Sequence, residues 1–258
     1  MNLQDKVAVI TGGASGLGKA AATAFVEKGA KVFLLDLNEE ACVTTVEELG
    51  AECCGYAITD VVCEDSVNAA LDQAMEAFGK LHIVLNAAGI GPPAKVLDRD
   101  LNPLPLAKFK KIVDINLCGT FNVLSKAASR MAKLDPINED GGRGVIINVA
   151  SVAAFDGQIG QPAYGGSKAG VAGMTLPIAR ELAKQGIRIN CIAPGLFLTP
   201  LAATLDDKVI EALGNSVEFP KRLGKPSEFA QLAVQMAEND YFNGEVVRLD
   251  GSIRMKAR

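Results

Sequence analysis

The chain reads as an α/β protein, a doubly wound, seven-stranded parallel sheet with helices on both faces. Three observations predict it. Short β-branched runs alternate with amphipathic stretches from Lys6 to the C-terminal end. A glycine turn, Gly12-Gly13-Ala14-Ser15-Gly16-Leu17-Gly18, joins the first run to the first helical pattern. The β–α units then repeat at a length that favours parallel strands with right-handed crossovers. The 258 residues are 49% hydrophobic and 22% charged, which suits one domain over residues 1–258 with a well-buried core.

The elements follow in order. Lys6–Thr11 is the first strand, and Leu17–Lys28 the first helix, ended by Gly29. Lys31–Leu37 is the second strand, followed by a helix Glu39–Leu49 ended by Gly50. Glu52–Ile58 reads as the third strand. Ser66–Phe78 places Val67, Ala70, Leu71, Ala74, Met75 and Phe78 on one side of a helix that Gly79 stops. His82–Asn86 is the fourth strand. The proline-rich and charged Gly91–Leu106 segment reads as a surface excursion, and Leu106–Ser129 as one helix. Gly144–Val149 is the fifth strand. A helix from Tyr164 to about Lys184 carries Pro177, which predicts a bend or a local break. Arg188–Ala193 is the sixth strand, and Leu196–Val217 a mobile connection with helical tendency. Ser227, before Glu228 and an apolar run, is read as the cap of a helix through Met236. Val246–Leu249 is the last strand.

Strand, glycine turn and helix in succession form the context of a dinucleotide-binding, Rossmann-type fold. The spacing Gly12-x-x-x-Gly16-x-Gly18 serves three needs. Gly12 turns the chain off the strand, Gly16 leaves room for a pyrophosphate, and Gly18 lets the helix approach the sheet. Backbone N–H groups and the positive helix end then face the phosphates. Asp36, at the tip of the second strand, suits the adenosine ribose hydroxyls. Its carboxylate repels a 2′-phosphate, and Ser15 and Leu37 supply no basic side chain, so NAD is expected rather than NADP. A turn residue is the other reading of Asp36. Asp60 either caps a turn or lies beside the adenine. Asn86-Ala87-Ala88-Gly89 follows the fourth strand with small residues that allow a cofactor close to the backbone.

Tyr164 and Lys168 stand at i and i+4, on one helix face. A free tyrosine has a pKa of roughly 10, and a neighbouring cation favours the phenolate. Bringing it to ~7 takes about three units, on the order of 4 kcal/mol. The pair therefore points to acid–base chemistry. In an open sheet, ligands bind beyond the C-terminal strand ends. The glycine turn, Asp36, Asp60, Asn86–Gly89, Ser151 and Pro194–Thr199 all follow strands at that end.

Composition excludes other classes. Net charge is −4, with no basic stripe, which argues against nucleic acid. No run approaches the roughly 18 apolar residues of a membrane helix. The first strand begins too near Met1 to leave room for a cleaved leader. Six cysteines without a C-x-x-C pair, Cys53-Cys54 included, point to a reduced cytoplasmic setting. His82 is the single histidine, read as structural, so no metal site is expected.

Together, Thr11–Gly18, Asn86–Gly89, Asn116, Ser151, Tyr164-x-x-x-Lys168 and Pro194-Gly195 resemble the short-chain dehydrogenase/reductase family across essentially the whole chain. Within it, Gly144–Gln161, Met174–Arg180, Ile192–Thr199 and Phe242–Met255 look like the type 2 3-hydroxyacyl-CoA dehydrogenase group. The resemblance implies a tetrameric NAD enzyme that interconverts a secondary alcohol and a ketone, with 3-hydroxyacyl-CoA thioesters as substrates. Other members reduce carrier-protein thioesters or oxidise steroids and polyols. It implies Tyr164 as acid–base residue, Lys168 as its activator and ribose ligand, Ser151 as donor to the substrate oxygen, and Asn116 as holder of a water. It further implies cofactor contacts from Ser15, Leu17, Asp36, Asp60, Val61, Ala87, Phe197 and Thr199. Gln158 and Gln161 are either pocket glutamines of that group or polar loop residues. Lys95, Arg99, Lys108, Lys110 and Lys111 either meet coenzyme A phosphates or are solvated. Two departures stand out: Gly165-Gly166 replaces a bulkier small pair, and Gly91–Leu106 differs from the group's substrate-side insertion.

Overall fold

The computed structural model describes residues 1–199 and 206–257. Seven strands, β1 Val7–Thr11, β2 Lys31–Asp36, β3 Cys54–Ile58, β4 Ile83–Asn86, β5 Gly144–Val149, β6 Ile187–Pro194 and β7 Val246–Leu249, form one sheet in the order β3-β2-β1-β4-β5-β6-β7. Every pairing is parallel. The order reverses between β1 and β4, and at this point the crevice beyond the strand ends opens.

Strand periodicity divides the core in two. Ala8, Ile10, Ile83, Leu85, Val145 and Ile147 face α1 (Gly16–Glu27) and α8 (Pro226–Glu238), where Phe25 and Phe229 are fully buried. Val9, Val84 and Ile146 face α3 (Glu64–Phe78), α5 (Thr120–Met131) and α6 (Pro162–Leu182). Helix α2 (Glu39–Leu49) flanks β3, and α4 (Leu106–Val113) lies against α6. A β-carbon on Gly18 would stand 2.2 Å from the Gly12 carbonyl oxygen. The absence of a side chain there is what lets α1 start so close to the turn. Gly12 itself takes φ +62, which L side chains rarely adopt.

Several boundaries differ from the sequence reading, each for a local reason. β3 begins at Cys54, because Cys53 and Cys54 donate back to the Gly50 carbonyl in a turn. α6 begins at Pro162, a position where the missing N–H costs nothing. It runs unbroken through Pro177 to Leu182, and a short 3-10 turn, Ala183–Gln185, follows. Ser227 is not the cap of α8: Lys225 holds that place with Pro226 first in the helix, and Glu228 accepts the Lys225 N–H at 2.7 Å. The helix expected over Leu106–Ser129 is present with an unbroken helical backbone, and it widens into a π-type turn at Asp114–Gly119. Of the Leu196–Val217 connection, residues 200–205 lie outside the described ones, and α7 covers Asp207–Asn215.

His82 is 3% exposed, and its Nδ1 accepts the Val7 N–H at 3.1 Å. Burial, with Lys6 and Lys80 nearby, pushes its pKa down to about 4. It is a structural residue at the start of β4. All six cysteines are free. No helix among the described residues is long and apolar enough to cross a membrane, and none of their His, Cys, Asp or Glu side chains form a metal-holding group.

Candidate active site

A cleft of about 730 Å³ lies beyond the C-terminal strand ends. One end is built by the turn after β1, with Gly12, Ser15, Gly16, Leu17 and Gly18, and by Asp36 at the end of β2. Asp60 and Val61, after β3, form a side wall. Ala87 and Gly89, after β4, lie along the middle. Ser151, Tyr164 and Lys168 stand at the other end with Pro194, Phe197 and Thr199. Topology thus gathers residues from the ends of six strands and from the starts of α1 and α6 into one space.

Asp36 is held by the backbone on both oxygens. Oδ2 accepts the Ala14 N–H and Oδ1 the Asn38 N–H, both at 3.2 Å. Its carboxylate therefore serves the turn and also lines the cleft. Asp60 likewise does both: Oδ1 accepts the Val62 N–H at 3.1 Å. Phe197 is fixed by an edge contact with Phe229, ring centroids 6.3 Å apart.

The end with Ser151, Tyr164 and Lys168 differs from its sequence reading in its electrostatics. Burial raises the Tyr164 phenol above its ordinary pKa, and a hydrogen bond with Ser151 opposes the rise. Lys168 is 4% exposed, and its ammonium donates to the Val149 carbonyl at 2.7 Å. Burial pushes its pKa down to about 8, and the nearby Cys191 thiol opposes that. The protein alone therefore does not depress the phenol pKa. The i, i+4 geometry brings both groups to the cleft, and burial sets the direction of the phenol's shift.

Four residues from the sequence reading do not line this cleft. Asn86 is buried behind it, donating through Nδ2 to Asn148 Oδ1 at 2.9 Å across the β4–β5 ladder. Asn116 is fully buried in the π-type turn. Its Oδ1 accepts the Ile90 N–H, and its Nδ2 donates to the Ile90 carbonyl and to Ser167 Oγ. Asn116 thus holds the chain after Gly89 in place, and a β-carbon on Gly89 would meet Lys168 Nζ at 3.3 Å. Gln158 and Gln161 line an adjoining recess of about 520 Å³, with Lys95 and Val96. There Gln158 Nε2 donates to the Lys256 carbonyl, and Gln161 Oε1 accepts the Gln158 N–H.

Two residues of this end were not anticipated. Gly91 lies against the Tyr164 ring: a β-carbon there would be 3.2 Å from two ring atoms. Its place just past the small-residue turn Asn86–Gly89 is the signal that would have marked it. The Val149 carbonyl left no trace in the sequence, since any residue supplies that oxygen.

A glycine cradle that a β-carbon would fill, a helix N-terminus aimed into it and a carboxylate at the ribose position fit a dinucleotide. With a tyrosine, a serine and a buried lysine at the far end, these features define a nucleotide-dependent oxidoreductase. A family model described as short chain dehydrogenase matches residues 6–209, and the chain belongs to that family. It is an enzyme, an oxidoreductase with a nicotinamide cofactor and a small-molecule substrate. Over 251 residues it is 50% identical to 3-hydroxyacyl-CoA dehydrogenase type-2 of Bos taurus, covering 97% of this chain and 95% of that protein. Its Drosophila melanogaster counterpart is 48% identical, over 98% of this chain and 99% of that one. The crystal structure of 3-hydroxyacyl-CoA dehydrogenase type-2 from Mycobacterium avium covers 100% of both chains with a TM-score of 0.94 at 38% identity.

Proposed function

We propose that the chain is an NAD-dependent dehydrogenase that interconverts 3-hydroxyacyl-CoA and 3-oxoacyl-CoA. The observation that carries this reading is one cleft holding Ser151, Tyr164 and Lys168 at one end and the glycine turn with Asp36 at the other. The relatives named above supply the substrate class. Asp36 supports NAD, because a 2′-phosphate beside its carboxylate would be repelled, and among the described residues no cation lines the cleft beside it to offset that.

In this reading Gly12, Ser15, Gly16, Leu17, Gly18 and Asp36 hold the adenosine diphosphate half, with Asp60 and Val61 at the adenine. Ala87, Gly89, Pro194, Phe197 and Thr199 hold the nicotinamide half, and Lys168 its ribose. Held there, a nicotinamide would supply the hydride-transfer chemistry, and its oxidised form would add positive charge that offsets burial of the Tyr164 phenol. Tyr164 takes the alcohol proton as general base and returns it in the reverse direction. Ser151 donates to the substrate oxygen as charge develops on it. Asn116 positions the Gly89–Ile90 backbone beside Lys168. Gln158 and Gln161 shape the acyl side through the loop they belong to. We also read the protein as cytoplasmic and homotetrameric; exposed apolar side chains on α4 and α5, such as Leu106 (69%) and Phe121 (52%), support self-association, and the number of subunits follows the family resemblance.

The test is initial-rate kinetics with NAD on 3-hydroxybutyryl-CoA, beside a carrier-protein thioester, a hydroxysteroid and a polyol. A preference for the coenzyme A ester, lost in Tyr164→Phe while NADH still binds, is expected. Preference for another alcohol would overturn the substrate, and normal turnover by Tyr164→Phe would overturn the mechanism.

A further inference from the structure

The loop Phe155–Gln161 connects Ser151 to Tyr164, and segments far away in sequence fasten it from both sides. Arg248, on β7, reaches across to Asp156: Nη1 donates to Oδ1 at 3.2 Å and Nη2 to Oδ2 at 2.5 Å. Its guanidinium carbon lies 5.3 Å from the centre of the Phe155 ring. The guanidinium is itself fixed, with Nε donating to Asp250 Oδ2 at 2.8 Å and Nη2 to the Ile253 carbonyl at 3.0 Å. Beyond this fork the C-terminal tail lies along the loop. The Lys256 carbonyl accepts from Gln158 Nε2 at 2.9 Å, and the Ala257 carbonyl accepts the Ile159 N–H at 3.0 Å. On the other side the Ala94 N–H donates to the Gly160 carbonyl at 2.7 Å.

The pairing is a bidentate Arg–carboxylate contact, and both side chains are largely shielded, 21% and 20% exposed. Such a fork fixes orientation as well as distance. The segment it holds carries no regular element between the 3-10 turn Val152–Ala154 and α6. Its shape therefore depends on these outside contacts. Among the described residues, the polar partners of Arg248 are Asp156, Asp250 and Ile253, which lie outside the lining of the main cleft.

We propose that Arg248, through Asp156, is a positioning residue that sets the substrate-side loop and with it the apparent affinity for the acyl substrate. The C-terminal tail is the second strap of the same device. A lysine in place of Arg248 keeps the charge and loses the fork, and methionine loses both. The nucleotide end of the cleft, with Gly12–Gly18 and Asp36, shares none of these contacts. The clamp therefore separates acyl binding from cofactor binding.

The kinetic half of the test rests on the thioester reading above, and hydrogen exchange does not. Full-length wild type, Arg248→Met, Arg248→Lys and Asp156→Asn are compared by hydrogen–deuterium exchange, by KM and kcat with 3-hydroxybutyryl-CoA, and by NADH titration. In Arg248→Met, residues 155–161 are expected to exchange faster while β4 and β5 stay protected. KM is expected to rise about tenfold, kcat to change less, and the NADH dissociation constant to stay within about twofold. Asp156→Asn should reproduce this without disturbing the contacts of Arg248 to Asp250 and Ile253, and Arg248→Lys should recover part of it. Unchanged exchange, or faster exchange with unchanged KM, overturns the proposal. Parallel loss of kcat, KM and NADH binding in both Arg248→Met and Asp156→Asn also overturns it, because that reports general unfolding. Should wild type ignore acyl-CoA while the exchange pattern appears as expected, the loop assignment holds and the thioester reading falls.

Discussion

Lys168 Nζ donates to the Val149 carbonyl at 2.7 Å, so the buried ammonium is tethered to the end of β5 rather than free to swing. The same amine has a pKa pushed down to about 8, principally by burial. A cofactor ribose that accepts from the ammonium favours the charged form. NADH affinity should hold below about pH 8 and weaken as pH rises through it. Fluorescence titration across pH 6–10 checks this, with Lys168→Met expected to bind weakly and without that pH dependence.

Gly91→Ala should lower kcat by about tenfold or more with little change in melting temperature. The new methyl would press on the Tyr164 ring from 3.2 Å, and the ring must shift by tenths of an ångström to admit it. A small misplacement of the reacting group is enough for that cost. Steady-state kinetics beside a thermal melt decides it, and an unaltered kcat would show that the ring gives way harmlessly.

Gly18→Ala should be far more damaging, by about 3 kcal/mol or more of stability. Its β-carbon meets a backbone oxygen at 2.2 Å, and neither α1 nor the turn can retreat without opening the core around Ala21, Ala22 and Phe25. Urea unfolding measures the loss.

Asp36→Ala should narrow the preference for NAD over NADP, read as the ratio of kcat/KM for the two cofactors. The same change frees the Ala14 and Asn38 N–H groups, so some loss of affinity for both is expected. An unaltered ratio would leave Asp36 as a turn residue only.

His82 gives the fold a pH dependence of definite sign. Its folded pKa, about 4, lies below the ordinary 6.5, so the unfolded chain binds the proton more tightly. The stabilisation is complete above about pH 6.5 and disappears as pH falls to about 4. About 2.5 units correspond to roughly 3 kcal/mol. Chemical denaturation at pH 7.5, 5.5 and 4.5 should follow this slope, and His82→Asn should flatten it.

Much of the site was legible because it depends on residue type. Gly12, Gly18, Asp36, Ser151, Tyr164 and Lys168 do jobs that few other side chains can do. What stayed hidden depends on placement. Asn86 looked like a cleft residue because it ends a strand, yet strand alternation turns it towards Asn148 inside. The sequence leaves Gln158 and Gln161 open between pocket and loop roles, and their bonds to the Lys256 carbonyl and the Gln158 N–H depend on contacts that no motif encodes. The raised pKa of Tyr164 is not legible in the spacing, which reveals proximity to Lys168 and says nothing of desolvation. The π-type turn at Asp114–Gly119 was invisible, since its residues are compatible with an ordinary helix.

That wider turn adds one residue, which rotates everything after it by about 100° relative to what precedes it. Asn116 can therefore reach Ile90 while Val123, Leu124, Ala127 and Met131 still face the sheet. Removing a single residue between Asp114 and Gly119 would force a choice between the two, whichever residue was removed. Segment length at this point, more than side-chain identity, keeps chemistry and core in phase, so a shortened relative would have to rebuild one or the other.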